Sequence, residues 1–124
     1  MLKKARSKGF TGNIEYACKD IVSTGFDGET FDAVLCYASF PHFPDKPRAL
    51  GEINRILRKN GRLFICHSAS RERINQIHQG IPVMHRDLIP DEDEMRRMLL
   101  LAGFAEIQIF DNLDNYLVRA KKSV

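Results

Sequence analysis

Four histidines and three cysteines hold most of the reactive side chains of this 124-residue chain. His42 stands in the run Phe40-Pro41-His42-Phe43, where a ring nitrogen can take a proton from a hydroxyl or an amine while Phe40, Phe43 and the nearby Tyr37 wall a small pocket. The plainer reading of that run, and the one adopted, is a rigid loop packed against the helix that follows, with His42 facing solvent. Cys36 and Cys66 close two short apolar runs, and with His42 and His67 close by in sequence the four could hold a soft metal. The odd cysteine count (Cys18, Cys36 and Cys66) and the lack of C-x-x-C spacing favour free thiols packed as small hydrophobes, so no metal is assigned. His78 and His85 have no partners near them in sequence and read as surface residues. Asp20 either turns the chain through its own side chain or binds a ligand.

These residues need strands and helices to bring them together. Phe31–Tyr37 and Leu63–Cys66 are apolar runs without polar alternation, as in strands buried on both faces of a parallel sheet. Between them Asp45 caps a helix and Pro47 falls in its first turn. Leu50, Ile53, Ile56 and Leu57 share a face of that helix, and Asn60-Gly61 is expected to supply its left-handed exit. Upstream, Met1–Lys8 reads as a short helix and Asn13–Cys18 as a strand. Downstream, Ser70 caps a helix over Arg71–Gln79 with Ile74 and Ile77 inward, and Ile81–Asp87 is an irregular connector. Asp91 and Glu94 form a capping box for a helix whose buried stripe is Met95, Met98, Leu99 and Ala102, ended by Gly103. Ala105–Phe110 and Tyr116–Ala120 make an antiparallel hairpin. In an open α/β sheet, chemistry gathers at the carboxyl ends of the parallel strands, which are the places of Asp20-Ile21, Cys36–His42 and His67-Ser68.

The stretch FDAVLCYASFPHFPDKPRALGEINRILRKNGRLFI resembles the central block of the class I S-adenosylmethionine-dependent methyltransferases, a strand opening on FD followed by an LxExxRxLKxxGxLxI pattern. On either side ACKDIVSTGFDGETFD is similar to the segment that faces the adenine, and LLLAGFAEIQIFDN to the last helix and sixth strand. The resemblance covers the C-terminal two thirds of the family domain. The family's glycine-rich loop and the acidic residue ending its second strand have no counterpart here. The resemblance implies a partial Rossmann-like α/β fold, a mostly parallel sheet with an antiparallel C-terminal strand. It also implies S-adenosylmethionine as cofactor, with Asp20 on the adenine amino group, Ile21 on the ring, and Cys36 and Tyr37 beside the methionine part. Phe40, Phe43 and His67 would line the acceptor pocket and His42 would be the catalytic base.

Length suggests one domain over residues 1–124, a truncated methyltransferase-like domain able to bury about two thirds of its unfolded surface. A net charge of +3 with scattered Lys and Arg lacks the dense basic face that nucleic-acid binding uses. No apolar run reaches the roughly 20 residues of a membrane span, so a cytoplasmic protein is expected. The functional expectation is methyl transfer to a small-molecule acceptor, by a chain that alone is incomplete and weakly active or inactive. The alternative is a non-catalytic dimerising or partner-binding module. The family's sheet runs third, second, first, fourth, fifth, seventh, sixth strand. Without the first two, Phe31–Tyr37 keeps a free edge, from which a homodimer is expected.

Overall fold

A computed structural model describes residues 24–123. The expected helix Met1–Lys8, the strand Asn13–Cys18 and the Asp20-Ile21 pair lie outside the described residues. The elements are β1 (Phe31–Tyr37), α1 (Lys46–Ile56), β2 (Leu57–His67), α2 (Arg71–Gln79), α3 (Glu92–Leu101), β3 (Phe104–Asp111) and β4 (Tyr116–Lys122), with short 3-10 turns at Phe40–His42 and Pro82–Met84. The sheet order is β1-β2-β4-β3. β1 and β2 run parallel, and β4 is antiparallel to both β2 and β3. This is the order of the family's fourth, fifth, seventh and sixth strands, and it matches the expected partial Rossmann-like α/β fold.

The local signals act where they stand. The Asp45 carboxylate accepts the Arg48 N–H at 3.1 Å to open α1, and Asp91 accepts the Glu94 N–H at 2.9 Å to open α3. α1 buries Ala49, Leu50, Ile53 and Ile56. Leu57 is buried too, but as the first residue of β2, where it pairs with Phe31. The expected helix exit at Asn60-Gly61 is therefore corrected: α1 has already ended, and the pair sits in an irregularity of β2. Residues 58–61 bulge out opposite Asp32 before Arg62 rejoins β1 at Ala33. Asn60 takes the left-handed conformation (φ 64°), which Asn tolerates. Gly61 is there for a close approach instead: a Cβ would lie 2.7 Å from the Arg58 carbonyl and 3.2 Å from that of Asp32.

Register sorts the side chains into two faces. Cys36, Ile65, Val118 and Ile109 form one rung of the inner face, which α1 and α3 cover. Tyr37, Cys66, Leu117 and Phe110 form the neighbouring rung of the other face. On that face Leu35 and Tyr37 are exposed, so β1 is not buried on both sides as its apolar run suggested. α2 also sits differently from its apolar pattern. Ile74 packs against the core as expected, but Ile77 is exposed and His78 is buried, because Arg71, Asn75 and His78 share the inward face with Ile74 and hold the connector that follows.

Candidate functional site

β1 ends in a tight turn at Ala38 (φ 53°), whose N–H donates to the Cys66 carbonyl at 2.9 Å. The 3-10 turn Phe40–His42 follows. Phe40 and Phe43 are buried edge-to-face with ring centroids 5.7 Å apart, so both belong to the core rather than to a pocket wall. They anchor the turn that carries His42. The Lys46 ammonium ties the same turn down by donating to the carbonyls of Pro41 (3.1 Å) and Phe43 (3.4 Å). Burial lowers the Lys46 pKa, and the charge of Asp87 works against that.

His42 is not the solvent-facing ring expected from the loop. Its Nδ1 lies 3.0 Å from Asp87 Oδ2, and its ring centroid is 4.8 Å from that of His78. A carboxylate only accepts, so Nδ1 carries the hydrogen and Nε2 of neutral His42 is free to take a proton. His78 donates from Nδ1 to the Asp87 carbonyl, which corrects its expected surface role. His85 is at the surface, its Nδ1 on the Pro82 carbonyl.

At the end of β2, His67 is buried, with its ring 6.3 Å from that of Tyr116, its register partner on β4. Burial, together with the nearby His78 and His42, pushes the His67 pKa down to about 4, so the ring is neutral. Burial, reinforced by Asp111, raises that of Tyr116. The Cys36 thiol is fully enclosed and pushed up to about 12 by burial. Cys36 thus contributes packing and only its backbone to the strand end, whereas Tyr37 beside it is 59% exposed. Cys36 and Cys66 point to opposite faces of the sheet, which separates the two thiols as ligands. Among the described residues no group of three or more His, Cys, Asp or Glu is placed to hold a metal. Asp20 and Ile21 lie outside the described residues. The structure therefore brings His42 and His67 to one strand-end cluster and adds Lys46, His78, Asp87 and Tyr116. Only strand pairing pointed to Tyr116. The other three carried no signal, since His42 and Asp87 stand 45 residues apart.

A parallel pair with a helical crossover and reactive groups at its carboxyl end defines the class of α/β proteins that bind ligands above the sheet. Residues 1–65 match the family described as methyltransferase domain. The chain belongs to the S-adenosylmethionine-dependent methyltransferase family. It is 38% identical to the ubiquinone/menaquinone biosynthesis C-methyltransferase UbiE of Teredinibacter turnerae, over 90% of this chain and 55% of that protein. It is 25% identical to the demethylmenaquinone methyltransferase of Staphylococcus carnosus, over 78% of this chain and 50% of that one. The chain thus spans about half the length of these relatives. Among solved structures, an S-adenosylmethionine-dependent methyltransferase of Thermotoga maritima superposes with a TM-score of 0.68 at 20% identity, covering 83% of this chain and 61% of that one. The YcgJ protein of Bacillus subtilis does so with a TM-score of 0.67 at 16% identity, over 84% and 69%. At these identities the two structures establish the fold alone.

Proposed function

We propose that residues 1–124 form one methyltransferase-like domain that transfers a methyl group to a small-molecule acceptor, with His42 receiving the acceptor's proton. The observation that carries this is the His42–Asp87 pair at the carboxyl end of β1, 3.0 Å long and half-buried. S-adenosylmethionine, when bound, supplies a methyl group whose bond to sulfur breaks toward sulfur as the acceptor atom bonds the carbon. His42 Nε2 takes the proton the acceptor sheds, and Asp87 fixes the ring and stabilises the imidazolium that forms. Phe40, Phe43 and Lys46 hold the His42 turn in place, which matters because methyl transfer depends mainly on alignment and on exclusion of water. On the cofactor side the exposed Tyr37 ring offers a flat wall, and Asp20 and Ile21 are assigned to the adenine. Relatives named for quinone biosynthesis support a small organic acceptor rather than a macromolecule.

Titration calorimetry with S-adenosylhomocysteine tests the reading. Micromolar binding supports a working cofactor site. Silence at millimolar ligand sinks it for this chain alone and favours a non-catalytic module on the same half-sheet. The reading places the chain in the cytoplasm, where the free thiols of Cys36 and Cys66 stay reduced; no helix among the described residues is long and apolar enough to cross a membrane. It also pairs the chain with a second copy through β1, which among the described residues has a strand neighbour on one side only. Sedimentation at micromolar concentration should give a dimer, and a clean monomer with a cooperative melt would refute that pairing.

A further inference from the structure

We infer that His67 and Tyr116 form a receptor for one neutral oxygen, hydroxyl or carbonyl, of the molecule bound for methylation, reached when the connector over residues 81–88 lifts. The inference takes the site's role from the methyltransferase reading, but its geometry is independent of it. Among the described residues, His67 Nε2 and the Tyr116 hydroxyl are both buried without a hydrogen-bond partner. Their residues are 4% and 1% exposed. Unpaired polar atoms are uncommon in native interiors, and here two stand side by side on paired strands, at the end of the sheet where ligands bind. One rung further in, the same face is filled by Ile65 and Val118, so an apolar pair would complete the layer without leaving any atom unpaired. A third such atom, Ser39 Oγ, has the Cys36 thiol beside it and is explained locally.

The groups that surround the pair also fasten the connector. His78 and His42 bear on His67, and both meet Asp87 of the connector. Arg71 bears on Tyr116, and its Nε donates to the carbonyls of Ile89 (3.1 Å) and Pro90 (3.0 Å). Asn75 closes a two-way pair with Ile89, donating to its carbonyl at 3.1 Å and accepting its N–H at 2.8 Å. Ile89 is itself buried in the core and, with its bonds to Asn75 and Arg71, anchors the end of the connector, whereas Asp87 is held only by polar clasps to His42 and His78. The receptor chemistry is neutral. Burial keeps His67 uncharged and Tyr116 protonated, so the pair itself offers a carboxylate or an ammonium no counter-charge, whereas a hydroxyl finds both a donor and an acceptor and a carbonyl oxygen finds a donor.

The probe is phenol added to the full chain without cofactor, with benzoate as the charged comparison. Millimolar phenol should move the side-chain nitrogen resonances of His67, assigned by their loss in His67→Asn, and benzoate should not. Tyr116→Phe keeps the ring and loses only the hydroxyl; it should bind phenol about tenfold more weakly while melting no lower than the parent. Equal phenol affinity in Tyr116→Phe and parent, or unmoved His67 resonances, overturns the inference. A water lodged between the two groups would show as a lower melting temperature of Tyr116→Phe with no response to phenol, and would overturn it too. If Tyr116→Phe fails to fold, the His67 resonances of the parent decide. Because no cofactor is present, a negative result leaves the methyltransferase reading standing, and failure to bind S-adenosylhomocysteine would leave the phenol response intact.

Discussion

Mild acid should act on this fold through His67. Burial, helped by His78 and His42, draws its pKa from 6.5 to about 4. The folded value lies below the unfolded one, so as pH falls the unfolded chain takes up the proton first. His67 therefore subtracts nothing above about 6.5, an increasing amount between 6.5 and about 4, and a constant amount below that. At about 1.4 kcal/mol per pH unit, the whole window is worth at most roughly 3 kcal/mol. The ring lies close to the half-exposed His42, so solvent softens the effect, and roughly 1–2 kcal/mol near pH 5 is the expected loss. Urea unfolding at about pH 7.5 and about pH 5, with equal m-values, measures it in the parent and in His67→Asn. The variant has no ring to protonate, so its stability should change less between the two conditions by about 1–2 kcal/mol, whatever its baseline. Glu52 does not confuse the comparison. The Arg55 guanidinium and the Thr24 N–H and hydroxyl hold its carboxyl down at about 2, so its contribution is lost only between 4.5 and 2. A parallel fall in parent and variant, or a parent loss confined to pH below about 4, would refute the argument.

Three further outcomes follow from particular contacts. Gly61→Val should destabilise by about 3 kcal/mol, because its Cβ would meet the Arg58 and Asp32 carbonyls and the Leu57 side chain; Asn60→Ala should cost only about 1 kcal/mol, and a Gly61→Val melt equal to the parent's would remove the close-approach account. Glu52→Gln should flatten the acid unfolding curve between pH 4.5 and 2, followed by circular dichroism, and an unchanged curve would mean that the Arg55 pair contributes nothing there. Asp91→Ala should cost about 1 kcal/mol in scanning calorimetry and Asp91→Asn much less; equal losses would show that the bond to the Glu94 N–H is not the source of the effect.

The elements legible in the sequence are those whose signals are local. Asp45 with Pro47, and Asp91 with Glu94, mark helix starts because a cap is a contact across three residues, and Gly103 ends α3 with φ 94° as its position suggests. The site was half legible for the same reason. His42 and His67 could be placed because each follows a strand that is itself readable, but their partners are set by how the connector folds back. No spacing announces that Asp87 will reach His42. α2 shows the cost of reading a helix by its apolar residues alone. Ile74 does pack against the core, but Ile77 does not: the helix turns Arg71, Asn75 and His78 toward residues 87–90, because several hydrogen bonds to backbone groups that must be satisfied outweigh the burial of one isoleucine. That choice leaves Ile77 in solvent and puts His78 against His42. The residue that sequence reasoning set aside as surface thus becomes part of the wall over His67. A helix that fastens a polar connector inverts the usual rule of burial, and here the inversion falls at the carboxyl ends of β1 and β2.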